Sequence, residues 1–155
     1  MPTVTKQAAL EASAPAVWAA VRNFGKLDEW LPPVVGCETD GEGIGALRTL
    51  TLGDGAVVVE RLDAHDDGAR TLTYSMTDAG PMPLVDYVST IAVSANPDGT
   101  STMTWTGNFG VSGADEAEVV GSIEGLYQSG LDSVAEKLAA EVHPAIKSWP
   151  SQSVT

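Results

Sequence analysis

The sequence predicts an α+β domain in which one antiparallel sheet wraps a long C-terminal helix. Three observations predict it. Six β-patterned runs follow one another between residues 34 and 111, separated by short turn signals. Residues 114–141 contain no proline and carry one apolar stripe at helical spacing. A long sheet and a long helix each have one apolar face, and packing them together buries both.

Residues 3–12 read as a first strand, with Val4, Gln7, Ala9 and Leu10 among polar neighbours. Ser13 is a good N-cap, and Pro15 is tolerated in the first turn of a helix over 14–22. Phe24-Gly25 ends that helix. Lys26 to Trp30 reads as a second short helix, stopped by Pro32-Pro33. Strands are then expected near 34–40, 45–53, 56–64, 70–78, 85–95 and 101–111. Gly53-Asp54-Gly55, Asp67-Gly68 and Asn96-Pro97-Asp98-Gly99 are hairpin turns, so the strands form an antiparallel meander. In the last helix, Val120, Ile123, Tyr127, Leu131, Val134 and Leu138 form the inward stripe. Pro144 marks its end, and His143 caps it. The expected layout is one domain over 1–145 with a tail over 146–155.

Composition narrows the partners. A chain of 155 residues with 43% hydrophobic content suits one core. The formal net charge of −13 disfavours nucleic acid and anionic membrane surfaces. No membrane insertion is expected, because no run approaches the length of a span. The N-terminus lacks a signal-peptide core, which makes the cytoplasm the expected compartment. Cys37 is the single cysteine and reads as a small buried apolar residue. His65 lies among Asp63, Asp66 and Asp67, but strand-end neighbours face alternate sides, so no metal site is expected. Gly41, Gly43 and Gly45 precede no helix pattern and are not a dinucleotide fingerprint. No cofactor is expected, and the oligomeric expectation is a monomer or weak homodimer.

The ordered motifs resemble a known superfamily. They run from Ala14-Pro15-Ala16-Val17-Trp18 through Trp30-Leu31-Pro32 to Gly45-Ala46-Leu47-Arg48-Thr49-Leu50. Glu60-Arg61-Leu62, Tyr74-Ser75-Met76, Tyr87-Val88-Ser89-Thr90 and Trp105-Thr106-Gly107-Asn108-Phe109 follow. Over residues 3–141 the chain resembles SRPBCC (START-like) proteins, nearest the polyketide cyclase/dehydrase and lipid-transport branch. The resemblance implies a helix-grip fold: a curved seven-stranded antiparallel sheet around the long helix, with two short helices after strand one. Plant abscisic-acid receptors share that fold, but Met82-Pro83-Leu84 stands where their latch would be and Val35 near the place of their ligand lysine. A hormone receptor is therefore not expected.

The resemblance also implies an internal cavity for a small hydrophobic or aromatic, oxygenated molecule. Alternation puts Tyr87 and Ser89 on one face, Trp105, Gly107 and Phe109 on another, and Tyr74 with Met76 on a third. A one-residue slip would turn each set outward. Leu50, Val58, Trp30 and Met82 join this lining, with Ile123, Tyr127 and Leu131 from the helix. Glu60 interrupts the apolar run Ala56 to Val59. Buried, it suits a general acid or base; it could equally face solvent or pair structurally with Arg48. Arg48, if inward, could bind a ligand oxygen. Glu60, Arg48 and Tyr87 are the candidate catalytic residues. The activity this implies is cyclase- or dehydratase-like; the alternative is a non-catalytic carrier or sensor.

Overall fold

The structure, a computed structural model, describes residues 1–142. Pro144, His143 and the proposed tail lie outside the described residues. Strand β1 (Thr3–Leu10) is followed by helix α1 (Ala14–Val21) and a 3₁₀ segment (Phe24–Glu29). Then come β2 (Val34–Asp40), β3 (Leu47–Leu52), β4 (Val57–Asp66), β5 (Thr71–Asp78), β6 (Leu84–Ala95) and β7 (Ser101–Val111). Helix α2 (Glu116–Val142) closes the chain.

All strands belong to one antiparallel sheet, in the order β1-β7-β6-β5-β4-β3-β2. The first strand pairs with the last, so the two helical pieces between β1 and β2 span the distance between opposite sheet edges. Local chemistry starts each piece. Ser13 Oγ accepts from the Ala16 amide (3.3 Å) at the head of α1, and Asn23 Oδ1 accepts from Gly25 (3.0 Å) at the 3₁₀ segment. The second short helix is thus 3₁₀ and kinked at Lys26, not a regular α-turn. Asp115 Oδ2 accepts from the Glu118 amide (3.1 Å), which places the start of α2.

The core lies between the inner sheet face and α2. From the helix, Val119, Ile123, Tyr127, Leu131, Val134 and Leu138 are buried. The expected stripe began at Val120; Val119 takes the buried position and Val120 packs half-buried at its edge. In β1, Val4 and Leu10 face inward while Gln7 and Ala9 are exposed, because period-two alternation cannot bury both Ala9 and Leu10.

Alternation alone does not set the inward face of β6. Leu84 is buried, Val85 and Asp86 are both exposed, and Tyr87, Ser89 and Ile91 are buried. A bulge between Val85 and Val88, with Asp86 at φ +51°, inserts the extra residue that shifts the phase. It aims Tyr87 at the core.

Candidate functional site

A cavity of about 360 Å³ lies between the sheet's inner face, the 3₁₀ segment and α2. Its floor is built by alternate residues of four strands: Leu50 and Leu52, Val58 and Glu60, Tyr74 and Met76, and Leu84 with Tyr87. Trp105 closes one side, and Ile123 comes from the helix. Pro33 and Gly125 line it yet are exposed, and Met82 and Leu126 are half-buried. These four mark the mouth, between the segment before β2, the β5–β6 turn and α2.

The wall is apolar except at one end, where Glu60 stands. Register places Arg48 of β3 directly across from Glu60 of β4. Both side chains are buried, at 3% and 6% exposure. Arg48 Nε (2.9 Å) and Nη2 (2.7 Å) both donate to Glu60 Oε1. Arg48 Nη1 donates to the Phe24 carbonyl (3.0 Å). Its guanidinium packs against the rings of Phe24 (4.1 Å) and Tyr74 (4.6 Å). No donor among the described residues reaches Glu60 Oε2. Burial pushes the Glu60 carboxyl above its ordinary range, and the adjacent guanidinium works against that rise.

The three tyrosines meet beside this pair. Trp105 Nε1 donates to Ser89 Oγ (2.8 Å) and to the Tyr74 hydroxyl (3.1 Å). Ser89 Oγ lies within hydrogen-bonding distance of the Thr106 carbonyl (3.1 Å) and of the Tyr127 hydroxyl (3.0 Å). Tyr127 and Tyr87 share a short hydroxyl–hydroxyl bond. Ser89 has one proton to give. If it goes to Thr106, the protons of Tyr127 and Tyr87 both run toward Ser89, and Tyr87 offers only lone pairs elsewhere. If it goes to Tyr127, the chain reverses and the Tyr87 proton is free for the cavity. Burial keeps all three phenols protonated: it raises Tyr74 to about 12 and pushes Tyr87 and Tyr127 up as well.

The site residues expected from sequence therefore divide into two layers. Glu60, Tyr87, Leu50, Val58, Tyr74, Met76, Met82, Trp105 and Ile123 line the cavity. Arg48 does not. Its charge is turned onto Glu60 and Phe24, and it stands behind the wall. Trp30, Ser89, Gly107, Phe109, Tyr127 and Leu131 are also buried behind it, not on it. Trp30 supports Trp105 at a ring separation of 5.3 Å, and Phe109 stacks on Tyr87 at 5.9 Å. Tyr127 stacks on Trp105 at 4.3 Å and 11°. Gly107 makes room for that ring: a Cβ there would come within 2.2 Å of the Tyr127 hydroxyl. Gly130 does the same for Trp105, which a Cβ would meet at 2.7 Å.

Sequence reasoning missed Leu27, Leu31, Val34 and Leu52, and the helix positions Ser122, Gly125, Leu126 and Ser129. The last four were findable. They form a row at three- and four-residue steps beside the Ile123 stripe, made largely of small residues.

His65 and Cys37 lie elsewhere. His65 Nε2 meets Asp67 Oδ1 at 2.8 Å, and Asp67 also accepts from Trp18 Nε1 (2.8 Å) and Arg22. These bonds tie α1 to the β4–β5 turn and hold the Asp67 carboxyl well below the usual carboxylate range. Cys37 is half-buried, against the expectation of full burial, and burial pushes its thiol up.

Residues 1–139 match the family described as polyketide cyclase / dehydrase and lipid transport. The chain belongs to that family. The protein XoxI from Bacillus cereus is similar, with 28% identity and a TM-score of 0.85 over 92% of this chain and 99% of that one. A Bacillus thuringiensis protein is similar at 29% identity and TM-score 0.81, over 88% of this chain and 98% of its own. The Zhui aromatase/cyclase of a Streptomyces species shares the fold at 17% identity, with TM-score 0.77 over 93% and 97%. No match is found among curated protein sequences. The helix-grip architecture of the polyketide cyclase/dehydrase family is thus the architecture of this chain. No helix among the described residues is long and apolar enough to cross a membrane.

Proposed function

We propose that this protein encloses a small, mostly apolar, oxygen-bearing molecule and acts on it as a cyclase- or dehydratase-like enzyme. One observation carries the reading: a buried carboxylate in the wall of a largely apolar cavity, with Oε1 fastened to Arg48 and Oε2 without a partner among the described residues. Such a group is a general base or acid held in one orientation. In a dehydration, Glu60 takes the proton from the carbon beside a ligand carbonyl. Tyr87, in its donating orientation, hydrogen-bonds the carbonyl oxygen as negative charge gathers there. Glu60 then returns the proton to the departing hydroxyl, which leaves as water, and the ligand gains a conjugated double bond. Arg48 acts through Glu60, as a positioning residue. No cofactor enters the scheme.

A carrier for an apolar metabolite is the second reading. It is favoured by the remaining wall, which is mostly hydrocarbon and sulfur. The family description spans both. The separating experiment uses a β-hydroxy aryl ketone and follows enone absorbance. The enzyme reading expects conversion by the parent protein and a loss of about tenfold or more in Glu60→Gln. Equal rates in the two proteins remove Glu60 from the reaction. Recovery of unchanged ketone at the buffer rate, with binding retained, favours the carrier.

A further inference from the structure

The cavity's electrostatics select among ligands, and in a direction that the buried arginine hides. A cavity with arginine at its polar end ordinarily suggests a carboxylate or phosphate ligand. Here the arginine is spent. Three of its N–H groups are committed to Glu60 Oε1 and Phe24, the rings of Phe24 and Tyr74 pack against the guanidinium, and it is not among the residues that line the cavity. Among the described residues no lysine, arginine or histidine lines the cavity, and Glu60 is its single carboxylate. What a ligand meets is therefore Oε2, an acceptor without a partner, in surroundings of Leu50, Val58, Met76 and the Tyr74 ring.

We propose that the cavity is selective for neutral molecules that present a hydroxyl proton, a phenol or an enol, to Glu60 Oε2, and that it rejects carboxylates of the same shape. The reasons lie in the two protonation states a ligand can bring. A hydroxyl donates a charge-assisted hydrogen bond to Oε2, roughly twice as strong as a neutral one. Its own oxygen can accept from the Tyr74 hydroxyl, which lies beside Ser89 and accepts from Trp105. A carboxylate brings a second negative charge against Glu60 where water is scarce; Arg48 already answers the first, and no further cation among the described residues lines the cavity. An unsubstituted hydrocarbon fills the apolar volume but leaves Oε2 buried and unpaired, which costs affinity. The cavity, near the lower end of the usual range for small-molecule sites, admits one or two fused rings.

This proposal rests on the cavity being the binding site, and its test separates the two. The full chain is titrated at pH 7.5 with 2-naphthol, naphthalene and 2-naphthoate, following tryptophan emission and confirming by calorimetry. The proposal expects 2-naphthol to bind about tenfold or more tightly than naphthalene, with 2-naphthoate weakest. In Glu60→Gln, which keeps shape and loses charge, 2-naphthoate should gain at least tenfold and the advantage of 2-naphthol over naphthalene should shrink. Naphthoate binding the parent protein as tightly as naphthol overturns the selectivity and leaves the cavity standing. Naphthalene binding as tightly as naphthol does the same. If none of the three binds, the cavity reading fails and takes the selectivity with it. The parent series decides the question alone should the variant not fold.

Discussion

Removing the Arg48 cation tests the arrangement on which the polar end of the cavity depends. Arg48→Met keeps an unbranched side chain against the Phe24 and Tyr74 rings but abolishes three hydrogen bonds of 2.7–3.0 Å and the charge opposite Glu60. Both partners are more than nine-tenths buried, so water cannot replace what is lost. Breaking a buried pair in this way costs about 3–5 kcal/mol. A domain of this size has about 5–15 kcal/mol in total, so the variant should still fold. At about 2 kcal/mol per molar of urea, the midpoint should fall by about 2 M at pH 7. The pH dependence carries the sign of the effect. The Glu60 carboxyl already binds its proton more tightly in the folded protein than its free value of 4.5, because of burial. Without Arg48 its pKa rises further. As pH climbs from 4.5 through that raised pKa, the unfolded chain gives up the proton first and stability falls. The penalty should therefore be smallest below pH 4.5 and largest above neutrality. Arg48→Met/Glu60→Met, which removes both charges, should return to within about 1 kcal/mol of the parent. A single-variant penalty under about 1 kcal/mol, or one that does not change with pH, would refute the buried pair and with it the orientation assigned to Oε2.

Two further outcomes follow from the tyrosine cluster. Gly107→Ala would set a methyl group 2.2 Å from the Tyr127 hydroxyl, so the ring must move and its bonds to Ser89 and Tyr87 must break. A loss of about 1–3 kcal/mol in chemical denaturation is expected, and an unchanged midpoint would contradict the close approach. The chain's whole complement of three tyrosines lies in this cluster, and burial holds every phenol above 10, with Tyr74 at about 12. Absorbance at the phenolate band should stay flat through pH 10 and rise for all three together as the fold gives way. Stability should fall with rising pH above 10, since the unfolded phenols ionise first. A phenolate signal titrating near pH 10 in the folded protein would place a tyrosine in water.

Local rules carried much of this protein. Period-two alternation in β7 assigned Trp105, Gly107 and Phe109 to one face, and they are buried while Thr104 and Thr106 are half-exposed. Three- and four-residue steps found α2, because a helix must present one stripe to whatever it packs on. Turn glycines found the hairpins, as at Gly55 with φ +92°, a conformation that side chains with a Cβ avoid. These signals are local, so a single chain suffices to see them. They extend to Glu60 as an anomaly in an apolar run.

Tertiary structure alone decided what those residues face. Whether Arg48 met a ligand or a neighbour depended on the β3–β4 register, which set it opposite Glu60 and out of the cavity. The bulge at Asp86 determined that Tyr87 points inward, and no pattern in β6 announces where an extra residue will be taken up. Tyr127, Ser89 and Gly107 come together from three elements far apart in sequence, and only their packing places them behind the wall. Sequence thus determined which residues are buried wherever an element is regular, as in β7 and α2, since burial there follows periodicity. The division between cavity wall and support is a matter of distances between elements, and it became visible only when the sheet closed on the helix.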